Sequence, residues 1–184
     1  MIPISNGRVT ASFDEPRPLS NPGLHIHGAL DIAPQIGGDQ FTMAPVAGKS
    51  RAYVFIRPRR DADWGRYDKL EIGRLPARRY WYDVYGGLIW LEETGSPRVH
   101  IMTHYWAAQL QAAFGRLEYI ESDTDDPYPC IVLRSDVRAV SAGDRLAMVG
   151  DAGQSSGKHV HWEVHPSADL RPHAERIDPN EYLE

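Results

Sequence analysis

From His159 to Val164 the chain alternates strictly. Val160, Trp162 and Val164 fall on one side, and His159, His161 and Glu163 on the other. A period of two, with β-branched and aromatic residues on the apolar side, predicts a half-buried strand. The glycine- and serine-rich stretch Gly153 to Lys158 leads into it as a loop. The polar side carries two imidazoles one pleat apart, about 7 Å along the strand. That spacing suits both rings on one metal, or one on a metal and the other beside it as a base. A half-buried strand with histidines facing water has the same pattern, so the rest of the chain must decide.

Elsewhere short apolar runs are punctuated by 14 prolines and 16 glycines, which predicts a mostly β protein. Strands are expected over Arg8 to Phe13, Arg51 to Ile56, Tyr80 to Tyr85 and Leu88 to Glu92, the last two paired about Gly86-Gly87. Further strands are expected over Arg98 to His104, Cys130 to Arg134, Val137 to Val140 and Arg145 to Val149. In Arg98 to His104, alternation puts Val99, Ile101 and Thr103 on one face and His100, Met102 and His104 on the other. Trp106, Leu110 and Phe114 stand near helical spacing and predict one short helix over Tyr105 to Phe114. Arg57 to Arg79 interleaves basic and acidic residues and reads as a solvated excursion, with substrate grip as its functional alternative. Glu118 to Asp126 reads as an acidic loop, and Ile177 to Leu183 as a turn with a tail that packs back.

Composition narrows the classes. A chain of 184 residues buries a proper core as one domain. A net charge of -5 gives no electrostatic ground for nucleic-acid binding. No stretch is apolar for long enough to span a membrane. The opening Met1 to Arg8 has no basic segment followed by an apolar one, so no secretory signal is read there. The one cysteine, Cys130, excludes an internal disulfide and a cysteine-based structural zinc site, and it reads as a core thiol. The eight histidines are more informative, because imidazole both ligates metals and carries protons near neutral pH.

Three patches place imidazole or carboxylate on strand-like segments: His27 with Asp31, His104, and His159 with His161. In extended chain bent at Gly28, His27 and Asp31 can converge on one side. Two histidines and a carboxylate hold zinc with three protein ligands and leave a fourth position for water. Zinc lowers that water's pKa from 15.7 to about 7. Two histidines then remain for proton work, worth roughly a hundred- to ten-thousandfold in rate. The count fits metal-assisted amide hydrolysis, but periodicity and spacing leave open which histidines ligate and which move protons.

The segment His27 to Ala33 resembles the His-x-x-x-Asp motif of the lysostaphin/LytM-type zinc endopeptidases, and Gly153 to Val164 resembles their glycine-serine loop followed by His-x-His and aromatic-Glu-Val. Ala44-Pro45-Val46-Ala47-Gly48 is similar to the family's Ala-Pro-x-x-Gly turn. Val140 to Asp144 and Val149 to Gly153 are similar to its approach to the last strand, Arg8 to Phe13 to its first strand, and Ile177-Asp178-Pro179 to its ending. The resemblance implies a fold of two facing antiparallel β-sheets around a cleft, the duplicated hybrid motif, filling residues 1–184 as one domain with insertions near 57–79 and 105–136. It implies Zn2+ held by His27, Asp31 and His161, with His104 and His159 as catalytic histidines. The substrate it implies is the peptides of bacterial peptidoglycan, cut at cross-links or bridges. No nucleic-acid partner or membrane span is expected, and the chain is expected to be a monomer. A wall-acting protein works outside the cell, in the periplasm or with a phage.

Met102-Thr103-His104-Tyr105 departs from the family's Tyr-x-His-Leu, which leaves His100 as the rival of His104. His25 is a rival ligand with the wrong separation from Asp31. His165 and His173 read as surface histidines. Glu163 reads either as a residue that orients a ligand or as a solvated strand residue. Relatives that have lost ligands act as non-catalytic wall-binding or hydrolase-activating modules, which is the alternative function. A structural zinc site is the third.

Overall fold

The computed structural model describes residues 3–17, 25–37, 40–56, 86–122, 131–153, 155–168 and 176–183. Within them the chain is mostly β and its sheets are antiparallel. In order, the strands are β1 Arg8–Ala11, β2 Pro16–Arg17, β3 His25–Ile26, β4 Leu30–Ala33, β5 Phe41–Met43, β6 Gly48–Ile56, β7 Gly87–Glu93 and β8 Val99–Tyr105. Helix α1, Ala107–Phe114, follows. Then come β9 Leu117–Ser122, β10 Ile131–Ser135, β11 Arg138–Val140, β12 Arg145–Met148, β13 Val160–His165 and a 3-10 turn, Pro179–Tyr182.

Nine strands form one sheet in the order β1-β4-β13-β8-β7-β6-β10-β9, with β11 sharing the β6 edge beside β10. Strands β5 and β12 form a second, two-stranded sheet, and β2 and β3 pair apart. The small β5/β12 sheet covers one face of the large one. Leu146, Ala147 and Val149 pack there with Leu30 and Ile32 of β4, Met102 of β8, Ile89 and Leu91 of β7, and Val160, Trp162 and Val164 of β13. The alternation read in β13 therefore sends its apolar side to this core, and all three residues are fully buried. Helix α1 closes one end with Leu110. Its first turn is fixed by the Gln109 Oε1 atom, which accepts the Trp106 N–H at 2.9 Å. Tyr182 and Leu183 pack back on the same core, as expected of the tail.

Two expectations are corrected. Residues 117–122, in part expected as acidic loop, form β9 and pair with β10. In β8 the alternation fails at its last histidine. Leu88 pairs with Thr103 and Gly87 with Tyr105, so His104 is the residue left over in a β-bulge, at φ 75°. The extra residue turns His104 onto the opposite face from His100 and Met102. Gly87 lies opposite, where a Cβ would press on the Tyr105 carbonyl oxygen and Leu110 Cδ1, both at 2.7 Å. The arginine-rich stretch 57–79, the strand expected over Tyr80 to Tyr85, residues 123–126, Cys130 and His173 lie outside the described residues.

Candidate metal centre

The site grows from β4 and β13, neighbours in the large sheet. Asp31 and His161 are direct cross-strand partners and share the face away from the core. His161 Nδ1 lies 2.8 Å from Asp31 Oδ1. His27 stands four residues before Asp31, at the bend into β4, where its backbone N–H donates to the Glu15 carbonyl at 3.0 Å. Its Nε2 comes within 3.2 Å of both Asp31 Oδ1 and His161 Nδ1. Its other nitrogen, Nδ1, faces the Ser12 carbonyl oxygen at 3.0 Å. A carbonyl only accepts, so Nδ1 carries a proton, and Nε2 is the nitrogen turned inward toward Asp31 and His161.

Three ligand atoms therefore converge: His27 Nε2, Asp31 Oδ1 and His161 Nδ1. Among the described residues they are the group of three that could hold a metal ion. Zinc bonds to nitrogen and oxygen run to about 2.0–2.1 Å, which puts tetrahedral ligand atoms about 3.3 Å apart. The observed separations of 2.8, 3.2 and 3.2 Å fall close to that edge. This donor set, two imidazoles and one carboxylate, fits zinc and leaves one tetrahedral position to an outside ligand.

Two more histidines stand beside the triangle. His104, turned over by its bulge, has its ring centroid 4.5 Å from that of His159 and 5.7 Å from that of His161. Its Nδ1 donates to the Ala152 carbonyl at 2.8 Å, and its own carbonyl accepts the Ala152 N–H at 3.0 Å. His159 precedes β13. Its Nδ1 donates to the Gly157 carbonyl at 2.8 Å, and its Nε2 lies 3.8 Å from Asp31 Oδ1. In the neutral form both rings thus present an unprotonated Nε2. The glycine-serine loop shapes this, since Ser155 Oγ also lies 3.2 Å from His159 Nδ1.

Burial sets the charges. Desolvation alone would raise the Asp31 carboxyl, but the flanking imidazoles of His161 and His27 outweigh it and hold Asp31 far below the usual carboxylate range. Desolvation would lower His161, but Asp31 and Glu163 on its two nitrogens raise it above the ordinary imidazole value. Burial, reinforced by His161 and His159, lowers His104 to about 3 and keeps it neutral.

The remaining candidates divide cleanly. His100 lies on the core face, fully buried, with its ring stacked on Trp162 and Tyr182 edge-on to it. It is across the sheet from the triangle and cannot take the place of His104. His25 sits in β3, paired with Arg17. His165, expected at the surface, is 1% exposed, with Nε2 2.8 Å from Glu163 Oε2. Glu163 is no solvated strand residue, since it too is 1% exposed and lies against His161 Nε2 at 3.0 Å. The sequence carried a signal for Glu163, because alternation puts it on the His161 side. It carried none for Arg176, which contacts Glu163 from the tail.

No protein-family model and no curated protein matches the sequence. Solved structures do. The catalytic domain of the antimicrobial peptidase lysostaphin from Staphylococcus simulans matches with a TM-score of 0.54 at 17% identity, over 97% of this chain and 92% of that domain. Full lysostaphin matches with a TM-score of 0.52 at 17% identity, over 97% of this chain and 50% of that one. The chain thus spans about half the length of full lysostaphin, and its fold is that of the lysostaphin catalytic domain.

Proposed function

We propose that this protein is a zinc-dependent endopeptidase that hydrolyses peptide bonds in the cross-links or bridges of bacterial peptidoglycan. The observation that carries the reading is the convergence of His27 Nε2, Asp31 Oδ1 and His161 Nδ1 beside two further histidines, on a fold shared with a peptidase domain. His27, Asp31 and His161 would hold the metal. Bound zinc supplies Lewis acidity, polarising a carbonyl and making a water acidic near neutral pH.

His104 and His159 lie outside the ligand triangle and do the proton work. In the neutral form each can only accept at Nε2, because Nδ1 already donates to a backbone carbonyl. The ring that takes the proton from the attacking water becomes a donor. It then delivers that proton to the nitrogen of the breaking C–N bond. The water oxygen stays on the carbonyl carbon with the water's second proton, giving a carboxylic acid that loses this proton to solvent as the carboxylate, and a free amine. Both backbone acceptors, Ala152 and Gly157, steady the imidazolium formed on the way.

The test is turbidity loss and released amines from purified sacculi, with protein as isolated, with chelator, and with zinc restored. The expected result is cleavage that chelation stops and zinc revives, with fragment masses naming the bond. No cleavage of either glycine-bridged or directly cross-linked walls by zinc-loaded protein would refute the enzyme and support a non-catalytic wall-binding module.

A further inference from the structure

Behind His161, on the side away from the triangle, the sheet buries a second polar cluster. Glu163 Oε1 lies 3.0 Å from His161 Nε2 and 3.0 Å from Arg176 Nη1. Its other oxygen, Oε2, lies 2.8 Å from His165 Nε2. The Arg176 Nη1 atom also donates to the carbonyl of Gly28 at 3.1 Å, the residue after His27. One guanidinium nitrogen therefore touches both segments that bring ligands to the centre.

We propose that Glu163 and Arg176 are a positioning pair for the metal: Glu163 fixes the His161 ring with Nδ1 toward the centre, and Arg176 ties that ring's strand to the His27–Asp31 segment. The inference rests on the metal reading above. An ionised carboxylate only accepts hydrogen bonds, so Glu163 keeps a proton on His161 Nε2, and Nδ1, facing Asp31, is the nitrogen that gives up its proton to a metal. Such a partner also makes the imidazole a better donor to the metal. Arg176 completes the arrangement by balancing the buried charge and anchoring the carboxylate. Stability alone does not account for the pair. A buried ion pair contributes little over well-packed apolar residues of the same volume, whereas an apolar residue at position 163 could not choose the His161 tautomer.

Zinc and Co2+ affinities of the full chain, measured by competition with a chromophoric chelator, test the pair, together with the visible spectrum of the Co2+ form and the melting temperature of the metal-free protein. E163Q is expected to weaken zinc binding roughly 10–100-fold and to alter the Co2+ spectrum. R176Q is expected to weaken it as well, and R176K, which keeps a cation at that place, to restore most of the loss. In E163Q/R176Q the two losses are expected to sum to less than their separate values, because the residues act as one unit. If E163Q does not fold, the contrast between R176Q and R176K carries the same readout. Wild-type affinity and spectrum in E163Q and R176Q, with only a lower melting temperature, would overturn the inference and leave the pair purely structural. A wild-type protein that binds neither metal would overturn the metal reading itself, and the inference with it.

Discussion

Gly150 offers a way to move the proton-carrying histidines without touching the ligand triangle. Its carbonyl accepts the His159 N–H at 3.2 Å. A Cβ built on it would overlap the His104 carbonyl oxygen, and would stand 2.6 Å from Gln109 Oε1 and 3.1 Å from Tyr105 Cα. Gln109 can swing its side chain away only by giving up the Trp106 N–H and the Val149 carbonyl. The His104 oxygen is backbone, pinned by the Ala152 N–H, so in Gly150→Ala the bulge itself must shift. Overpacking of this kind costs about 1–3 kcal/mol. For a chain of this size that lowers the melting temperature by about 2–4 °C per kcal/mol, or roughly 2–12 °C in all. Displacing His104 or His159 by about 1 Å is enough to lose roughly a hundredfold in turnover. Zinc affinity should stay within about threefold, since a shift confined to the bulge leaves the three ligand atoms bonded as before. The assay is wall digestion alongside chelator competition and thermal melting on one preparation. Wild-type melting and turnover in Gly150→Ala would refute the tight approach at the bulge. Zinc lost while turnover persists would refute the division between ligands and proton carriers.

His161→Ala should lose zinc and turnover together, and stoichiometric zinc in that variant would remove His161 from the ligand set. His159→Ala should keep zinc and lose turnover by roughly a hundred- to ten-thousandfold, whereas loss of metal would reverse the two roles. Because His161 is raised above the ordinary imidazole value in the metal-free protein, zinc must displace a proton from Nδ1. Zinc affinity should therefore rise about tenfold per pH unit, or about 1.4 kcal/mol, until pH passes the raised pKa, and level off above it. Affinity that stays flat from about pH 6 to 8 would contradict this. The same raised pKa stabilises the metal-free fold below the unfolded imidazole value, and that contribution fades as pH rises through the folded one. His100→Ala leaves the Trp162 indole N–H, now 3.3 Å from His100 Nδ1, without its acceptor. It should cost about 1–3 kcal/mol in denaturant titration and leave zinc binding unchanged. Zinc lost from a folded His100→Ala protein would show that the core face does reach the centre.

Much of this arrangement can be read from sequence because a strand converts order along the chain into sides of a sheet. Val160, Trp162 and Val164 go to the core by parity alone, and the same parity sets Glu163 beside His161. The strand bounds of β6, β7, β8 and β12 fall within a few residues of their apolar runs for the same reason. His104 shows where parity stops. A bulge adds one residue, and everything beyond it changes sides. The only trace in the sequence is Gly86-Gly87, which reads as an ordinary turn until the Tyr105 carbonyl is seen against Gly87. His165 misleads in the opposite sense. It lies against Glu163, which in turn meets Arg176 from a tail segment whose approach no local pattern encodes.

The order of strands along the chain and in the large sheet also governs when the centre can exist. Among the described residues, β4 pairs within that sheet with β1 on one side and β13 on the other. In backbone pairing within that sheet, the amino-terminal ribbon bearing His27 and Asp31 therefore meets the β8 half through β13. On a ribosome adding roughly 5–20 residues per second, the interval between Asp31 and His161 lasts on the order of ten seconds. Throughout it the first two ligands are made but lack their third, and β4 and β8 lack the strand that stands between them. The order of ligands along the chain thus keeps the nascent protein without a complete ligand set until β13 has been translated.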